Sequence, residues 1–486
     1  MSRKLIPFAL LALLATACGE GGVAVQEGEV PANAFVVQVA DAGPGIGHAG
    51  VSLTTDAEGN PHLAYIALEP EAEEGEPAAA PDPGGPTPPA VLHAHVVDGV
   101  WTHSPVAEET GVTAEDTVAI AVGEDGTHHV AWTEGGAGVR YSSNAGGSFS
   151  EPAVVHDGTV SGVSIALEGE TPLVTFYEEP AQGETQTVRL ATSDGSAWSV
   201  ETVAEASPPE GGTTAVGSGA QGTLVAYGSE GRTLLTRRNG EVWESEGVDD
   251  GGIGVSMSLD GDGNPHLAYR DAQGAVRHSH SIGGGDWETT DVGEAATGGT
   301  GIAVDGEGIH HVAWSDDQGV VYASNEQGSF AADRFPQFAG GGSPSVASGG
   351  EGAVHLAWGD PQMSAVKLGT RGGDEPFLAA PPAGPEPTGE PTEEPTTAPA
   401  CQPEGTELQI VAENIAFDKD CLAAPVGEGV TIEFENLDTA LHNVAIYTDD
   451  TLSEPIFRED PFAGPQTVTY DVPAVDEAGS YYFHCD

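Results

Sequence analysis

Basic residues are scarce in this 486-residue chain: 14 lysines and arginines stand against 76 aspartates and glutamates, and its lysines are Lys4, Lys367 and Lys419. A formal net charge of −62 repels phosphate backbones and anionic headgroups, which argues against nucleic acid as a partner. Such a surface keeps a protein soluble and suits cationic partners, but it carries no information about fold. Long apolar runs are lacking too. After residues 5–14 no stretch is long enough to cross a bilayer. There is no phosphate-binding glycine loop, no zinc-type cysteine spacing and no nucleophile with a convincing base. Four cysteines and three methionines leave little sulfur for soft-metal chemistry, so the position of each matters. At this length two or three folded units are expected.

The N-terminus has the grammar of a secretory signal: basic Ser2-Arg3-Lys4, a short apolar run, then small Ala15, Thr16 and Ala17 directly before Cys18. This order resembles the bacterial lipoprotein signal, in which the cysteine is acylated and becomes the new N-terminus. The resemblance implies that residues 1–17 are removed, that Cys18 carries a lipid anchor outside the cytoplasm, and that residues 18–33 form a tether. The membrane would be touched through that lipid alone.

Two segments, 69–89 and 374–400, are dominated by Pro, Glu, Ala, Gly and Thr and lack apolar periodicity, so neither can bury a core. The first interrupts a repeat and reads as a loop insertion. The second separates regions of different character and reads as a linker.

Between them the sequence repeats. "NPHLAY" ending at Tyr65 recurs as "THHVAW" (Trp132), "TPLVTF" (Phe176), "GTLVAY" (Tyr227), "NPHLAY" (Tyr269), "IHHVAW" (Trp314) and "AVHLAW" (Trp358). The aromatic residues are 67 positions apart across the insertion and then 44, 51, 42, 45 and 44 apart, the length of a four-stranded propeller blade. Each unit has a strand, an Asp/Gly turn, two further strands and a fourth opened by an aromatic residue. The expectation is a seven-bladed β-propeller over residues 34–373. Residues 35–40 (FVVQVA) should supply the fourth strand of the last blade and so close the ring. The units resemble bacterial propellers built on D-x-x-G-x-x-H-x-A-Y/W repeats, a resemblance that implies a fold and no particular chemistry.

Several propeller residues invite a functional reading. His62, His129, His266, His311 and His355 share one strand position in five units and read as hydrogen-bonded packing residues. The H-x-H pairs His93/His95 and His278/His280 align with Tyr141/Ser143 and Tyr322/Ser324 of other units. They fall in the first and fifth units, which are not neighbours, and so do not read as one shared copper cluster. Asp260, Asp262 and Asn264 mimic the start of a calcium loop, but Pro265 stands where that loop needs glycine, and a hairpin turn is expected.

Residues 401–486 alternate as strands at 407–412, 430–434, 443–447, 467–472 and 480–485, the pattern of a small β-sandwich. Two motifs, "FENLDTALHNVAIY" with His442 and Asn443 and "GPQTVTYDVPAVDEAGSYYFHC" ending on Cys485, resemble the plastocyanin and azurin type of cupredoxin. The resemblance implies a type 1 copper site with His442 as an imidazole ligand and Cys485 as the thiolate, and Asn443 steadying the loops around the sulfur. By strand alternation His484 faces away from Cys485 and is not a ligand. The family's second histidine and axial ligand normally follow the cysteine, whereas this sequence stops one residue later and Met363, its last methionine, lies in the propeller. The expectation is either that the cellular protein continues or that the domain as written binds copper poorly. Cys401 and Cys421 are left to pair as a disulfide.

Two functions follow. In one, the chain is a lipid-anchored, extracytoplasmic electron carrier using one copper, with the propeller docking it to a redox partner protein. In the other, the propeller binds a glycan or protein and the cupredoxin domain stores copper or is structural. Enzyme activity, such as an oxidase, ranks behind both, because a lone type 1 copper offers no open coordination position.

Overall fold

The computed structural model describes residues 35–372 except 44, 70–87, 98–99, 135, 180–184, 241, 284, 336–341 and 362–363. In the C-terminal region it describes 406–413, 416–417, 419, 422, 424, 429–437, 441–447, 455–459, 462–463, 466–475 and 482–484, and near the N-terminus 15–16. The chain divides into two units, Glu29–Ala379 and a second made of Met1–Gly28 with Ala380–Asp486.

The first unit is a β-propeller of four-stranded antiparallel sheets that follow one another along the chain. Sheet 1 holds Val51–Thr55, Pro61–Ala67, Ala90–Val97 and Val100–Ala107. Sheet 2 holds Val118–Val122, His128–Thr133, Gly138–Ser143 and Ala153–Asp157. Sheets 3 and 4 begin with Thr159–Glu168 and Thr214–Gly219. Sheet 5 holds Ile253–Leu259, Pro265–Arg270, Val276–Gly283 and Asp286–Gly293, and sheet 6 begins with Thr300–Val304 and His310–Asp316. Sheet 7 has Ser345–Ser348, Val354–Asp360 and Ala365–Arg371 from its own unit, and its fourth strand is Val36–Ala42 from the start of the chain. The expected closing segment is therefore paired, from Val36 opposite Thr370 to Ala42 opposite Ala365. It covers an edge that would otherwise be open to other strands.

The core lies between sheets. Val130 and Trp132 of sheet 2 pack with Ala64, Ile66 and Val91 of sheet 1. Equivalent clusters join each sheet to the next, and the last joins Ala347, Val366 and Leu368 of sheet 7 to Leu53 and Leu63 of sheet 1. The repeat aromatics Tyr65, Trp132, Phe176, Tyr227, Tyr269, Trp314 and Trp358 form these seams, and none exposes more than 2 % of its surface. Truncating one to alanine would cost on the order of 3–5 kcal/mol. Near the axis, hydroxyls of one innermost strand accept backbone N–H groups of the next: Ser52 from Ile120 (3.2 Å), Thr117 from Val163 (3.0 Å), Ser164 from Val216 (3.2 Å) and Ser258 from Val304 (3.1 Å). Ser345 of sheet 7 accepts from Leu53 of sheet 1 at 3.1 Å, which ties the last sheet to the first.

The Asp/Gly turns act as expected. Asp260 Oδ1 accepts from the backbone of Asp262 (3.0 Å) and Asn264 (2.7 Å), and Gly263 sits at φ +80°, where a side chain would be strained. That oxygen is spent on the hairpin, as is Asp56 Oδ1 in sheet 1, which accepts from Asn60 at 2.8 Å.

In the second unit Glu407–Glu413 runs parallel to Val430–Asn436, which pairs antiparallel with Gln466–Val472. Ala445–Tyr447 pairs with Tyr482–His484 and Pro455–Phe457 in another sheet, whose edge at Phe483–His484 also takes Ala15–Thr16 in parallel. Ile410, Ile432, Phe434, Val444, Tyr470 and Phe483 share one core between the two sheets. The expected alternation is visible in the buried–exposed pattern of Val430–Asn436.

Candidate metal centres

The strand position shared by five histidines has two different fates. In sheets 2 and 6 it behaves as a packing residue: His129 Nδ1 meets the Tyr141 hydroxyl at 2.6 Å, and His311 Nδ1 meets the Tyr322 hydroxyl at 2.6 Å. In sheet 7, His355 bonds Thr370 Oγ1 at 2.9 Å and the Gly59 carbonyl at 3.2 Å. In sheets 1 and 5 the tyrosine is replaced by histidine. His62 Nδ1 lies 3.4 Å from His93 Nε2, and His266 Nδ1 lies 3.2 Å from His278 Nε2. His62 and His266 thus differ from the other three in having a second imidazole as their partner.

A third imidazole comes from the following sheet. The units after each H-x-H pair carry a His-His dipeptide at the start of their second strand, and its first member, His128 or His310, reaches back across the seam. Ring centroids of His128 are 4.5 Å from both His62 and His93, and those of His310 are 4.5 Å from His266 and 4.4 Å from His278. In each trio one nitrogen per residue lies within 4.8 Å of the others. Sheets 1 and 5 are indeed too far apart in the chain order to share a site, as the sequence suggested. What the structure adds is two separate histidine clusters, each spanning two consecutive sheets. The sequence signal was present in the order of motifs, H-x-H in one unit and H-H in the next, occurring twice.

The surroundings are duplicated as well. His62 Nε2 faces Asp56 at 3.4 Å, and His266 Nε2 faces Asp260 at 3.6 Å, so a carboxylate outside each cluster leaves Nδ1 pointing inward. The Asn144 side chain accepts the His128 backbone N–H at 2.7 Å and donates to His128 Nδ1 at 2.8 Å; Asn325 does the same for His310 at 2.8 and 3.0 Å. Phe149 and Phe330 set their rings edge-on against His93 and His278. Burial, followed by the neighbouring imidazoles, drives His93 and His278 down to about 2, and the same causes bring His128 and His310 to about 4. His62 and His266 are also lowered, chiefly by burial. At neutral pH these are uncharged bases packed together, the protonation state that metal ligands require. An N···N separation of 3.2–3.4 Å suits a His–His hydrogen bond and equally the edge of a tetrahedron about an ion with bonds of about 2.0–2.1 Å.

Of the residues assigned to copper from sequence, His442 is 2 % exposed and the neighbouring Asn443 is fully buried, donating from Nδ2 to the Glu459 carbonyl at 2.6 Å. That bond ties the segment of Asn443 to that of Glu459. Phe483 points into the core of the unit. Cys485, Cys401, Cys421 and Cys18 lie outside the described residues, as does the His484 side chain.

A separate cleft of about 340 Å³ opens on sheet 3 and its neighbour, with Trp198, Asp194, Thr192, Ser193 and Arg238 on its walls.

No family model matches the chain. No curated protein matches it either. Among solved structures, the chain is similar to a fungal lectin from Aleuria aurantia described as a six-bladed β-propeller, at 11 % identity and TM-score 0.40, over 59 % of this chain and 94 % of that one. It is also similar to AofleA from Arthrobotrys oligospora, at 9 % identity and TM-score 0.42 over 66 % and 95 %. A third is the leech intramolecular trans-sialidase, at 11 % identity and TM-score 0.35 over 66 % and 67 %.

Proposed function

We propose that this protein is an extracytoplasmic metal-binding protein whose seven-bladed propeller holds two transition-metal ions, anchored through lipid on Cys18. The observation that carries the reading is the duplicated cluster: His62, His93 and His128 recur as His266, His278 and His310 with the same carboxylate, the same asparagine and the same phenylalanine around them. One such cluster could be packing. Two, assembled from different strands by the same substitutions, speak for a site the repeat has copied whole. In this reading the C-terminal unit is a cupredoxin-like domain, with His442 and Cys485 as copper ligands and Asn443 as their support, able to pass single electrons to a redox partner. Metal analysis of the purified, dialysed chain should give two ions beyond any held by the C-terminal unit. His93→Tyr with His278→Tyr, which restores the tyrosine of sheets 2 and 6, should abolish both. Failure of the wild-type chain to retain any divalent ion at micromolar concentration would refute the proposal.

A second reading rests on the cleft at Trp198. An indole beside Arg238, Asp194 and small hydroxyls is the mixture of apolar face and polar groups that suits a sugar ring. The solved lectin SapL1 is described in complex with alpha methyl fucoside. Glycan-array binding that disappears in Trp198→Ala would support this use of the propeller, and a blank array would remove it.

A further inference from the structure

Each trio has a fourth histidine beside it. His95 and His280 are the second members of the H-x-H pairs and project from the same strand face as His93 and His278. They lie directly opposite His62 and His266 in the register. The His95 ring is 4.8 Å from His93, 5.3 Å from His62 and 5.6 Å from His128, centroid to centroid. His280 is 5.5, 5.4 and 6.0 Å from the matching rings of sheets 5 and 6. In both, Nδ1 is buried and has no hydrogen-bond partner among the described residues. A buried ring nitrogen without a partner costs free energy, and here the same orphan occurs at the same place in both copies. At this register position sheets 2 and 6 carry Ser143 and Ser324. Histidine there is thus a feature of the two clusters, not of the repeat.

Resting on the reading that the trios bind metal, we infer that His95 and His280 are the fourth ligands, rotating inward through Nδ1 to complete coordinatively closed, tetra-imidazole Zn(II) sites. The donor set narrows the ion to those that imidazole suits, and the geometry favours Zn(II) among them. Among the described residues no thiolate joins either cluster, which disfavours Cu(I), and no carboxylate oxygen enters it, which disfavours Mg(II), Ca(II) and Mn(II). Three of the four rings, His62, His93 and His95, are stacked within 10–24° of one another, and the fourth comes from the adjacent sheet at 40–62° to them. Ligands converging from two sheets enclose an ion in three dimensions, as a tetrahedral centre requires. A closed four-ligand zinc site has no position for substrate and serves as a staple. These would tie sheet 1 to sheet 2 and sheet 5 to sheet 6.

The test uses Co(II) and Zn(II) on the full-length chain. Wild-type protein should take up Co(II) with the intense visible bands of a tetrahedral ion, displaced by Zn(II) at two equivalents. The double variant His95→Ser, His280→Ser adopts the residue that sheets 2 and 6 already carry, so its metal-free fold should be preserved, as judged by its thermal transition. It should still bind two ions, with affinity lower by about two orders of magnitude and the cobalt bands weakened as water replaces nitrogen. His95→Gln with His280→Gln provides a second variant should serine destabilise the sheet. Unchanged affinity and spectrum in the variants would overturn the fourth-ligand assignment while leaving the three-histidine sites standing. Pale, octahedral-type cobalt bands in the wild type, or Cu(I) recovered from the clusters of protein purified from cells, would overturn the zinc assignment. No uptake by wild type would remove the metal reading itself.

Discussion

His355 should make the propeller acid-sensitive, in a way that one substitution taken from the protein's own repeat removes. The side chain is 1 % exposed, bonded to Thr370 Oγ1 and the Gly59 carbonyl, and burial brings its pKa down to about 4, with the Gly59 carbonyl offsetting part of that shift. An unfolded histidine titrates near 6.5. The unfolded state therefore binds more protons between those values, and stability falls as pH drops through that window. With those two pKa values, linkage gives a loss of about 2 kcal/mol between pH 7 and pH 5 from this residue alone. In sheet 3 the equivalent position is Leu173, also paired with a threonine, Thr192. His355→Leu copies that pair. The variant should lose about 1–2 kcal/mol at pH 7 for the missing hydrogen bonds. Its further loss on going to pH 5 should be about 2 kcal/mol smaller than wild type. Urea unfolding of metal-free protein, followed by tryptophan fluorescence at pH 7, 6 and 5, measures this directly, because the other buried histidines are common to both chains and cancel. Parallel pH profiles for wild type and variant would show that His355 is protonated as easily in the fold as out of it, and the burial argument would be wrong.

Lys367 forms a buried ion pair with Asp360 at 2.8 Å, with both side chains about 2–3 % exposed, so Lys367→Met should cost about 3–5 kcal/mol by removing the cation that faces a buried carboxylate; a denaturation midpoint equal to wild type would refute this. Asn144 and Asn325 offer an amide N–H to the ring nitrogen that must carry the proton when Nε2 binds metal. Asn144→Asp with Asn325→Asp, able to accept from both the backbone and the ring, should tighten Zn(II) binding about ten-fold or more by calorimetric titration, and weaker binding would count against ligation by His128 and His310. Removing Val36–Ala42 should expose the edge of Ala365–Arg371 and promote aggregation, visible by size-exclusion chromatography. Replacing residues 70–87 with a short turn should change stability by less than about 1 kcal/mol, because Ala67 and Ala90 already face each other in the hairpin; a larger loss would mean that the insertion packs on the ring.

The architecture was legible because a repeat states its own rules. Seven aromatic residues at near-constant spacing, each closing an alternating strand and following an Asp/Gly turn, specify a sheet that cannot bury its faces alone. The closing strand could be read from an element missing at one end and present at the other. Strands Glu407–Glu413, Val430–Asn436 and Gln466–Val472 of the C-terminal unit were legible for the same local reason: side chains alternate with period two whatever the sheet goes on to pack against. Lys367 was not legible as a buried cation, since nothing in "SAVKLGTR" marks its partner Asp360 on the neighbouring strand.

The histidine clusters mark the boundary between the two kinds of information. By itself the sequence determined that His93 and His95 share a face and that His62 and His266 stand at a recurring strand position. Those are properties of one strand at a time, fixed by backbone geometry. Whether these positions meet depends on cross-strand register, which sets His62 opposite His95 and Ala64 opposite His93, and on the packing of one sheet against the next, which brings His128 back over the seam. Register and sheet packing are set by the burial of whole faces, such as the Trp132 seam against Ala64, Ile66 and Val91, and no short motif encodes them. Only the tertiary structure could turn six scattered histidines into two clusters, because the distances that bring them together are measured across sheets and not along the chain.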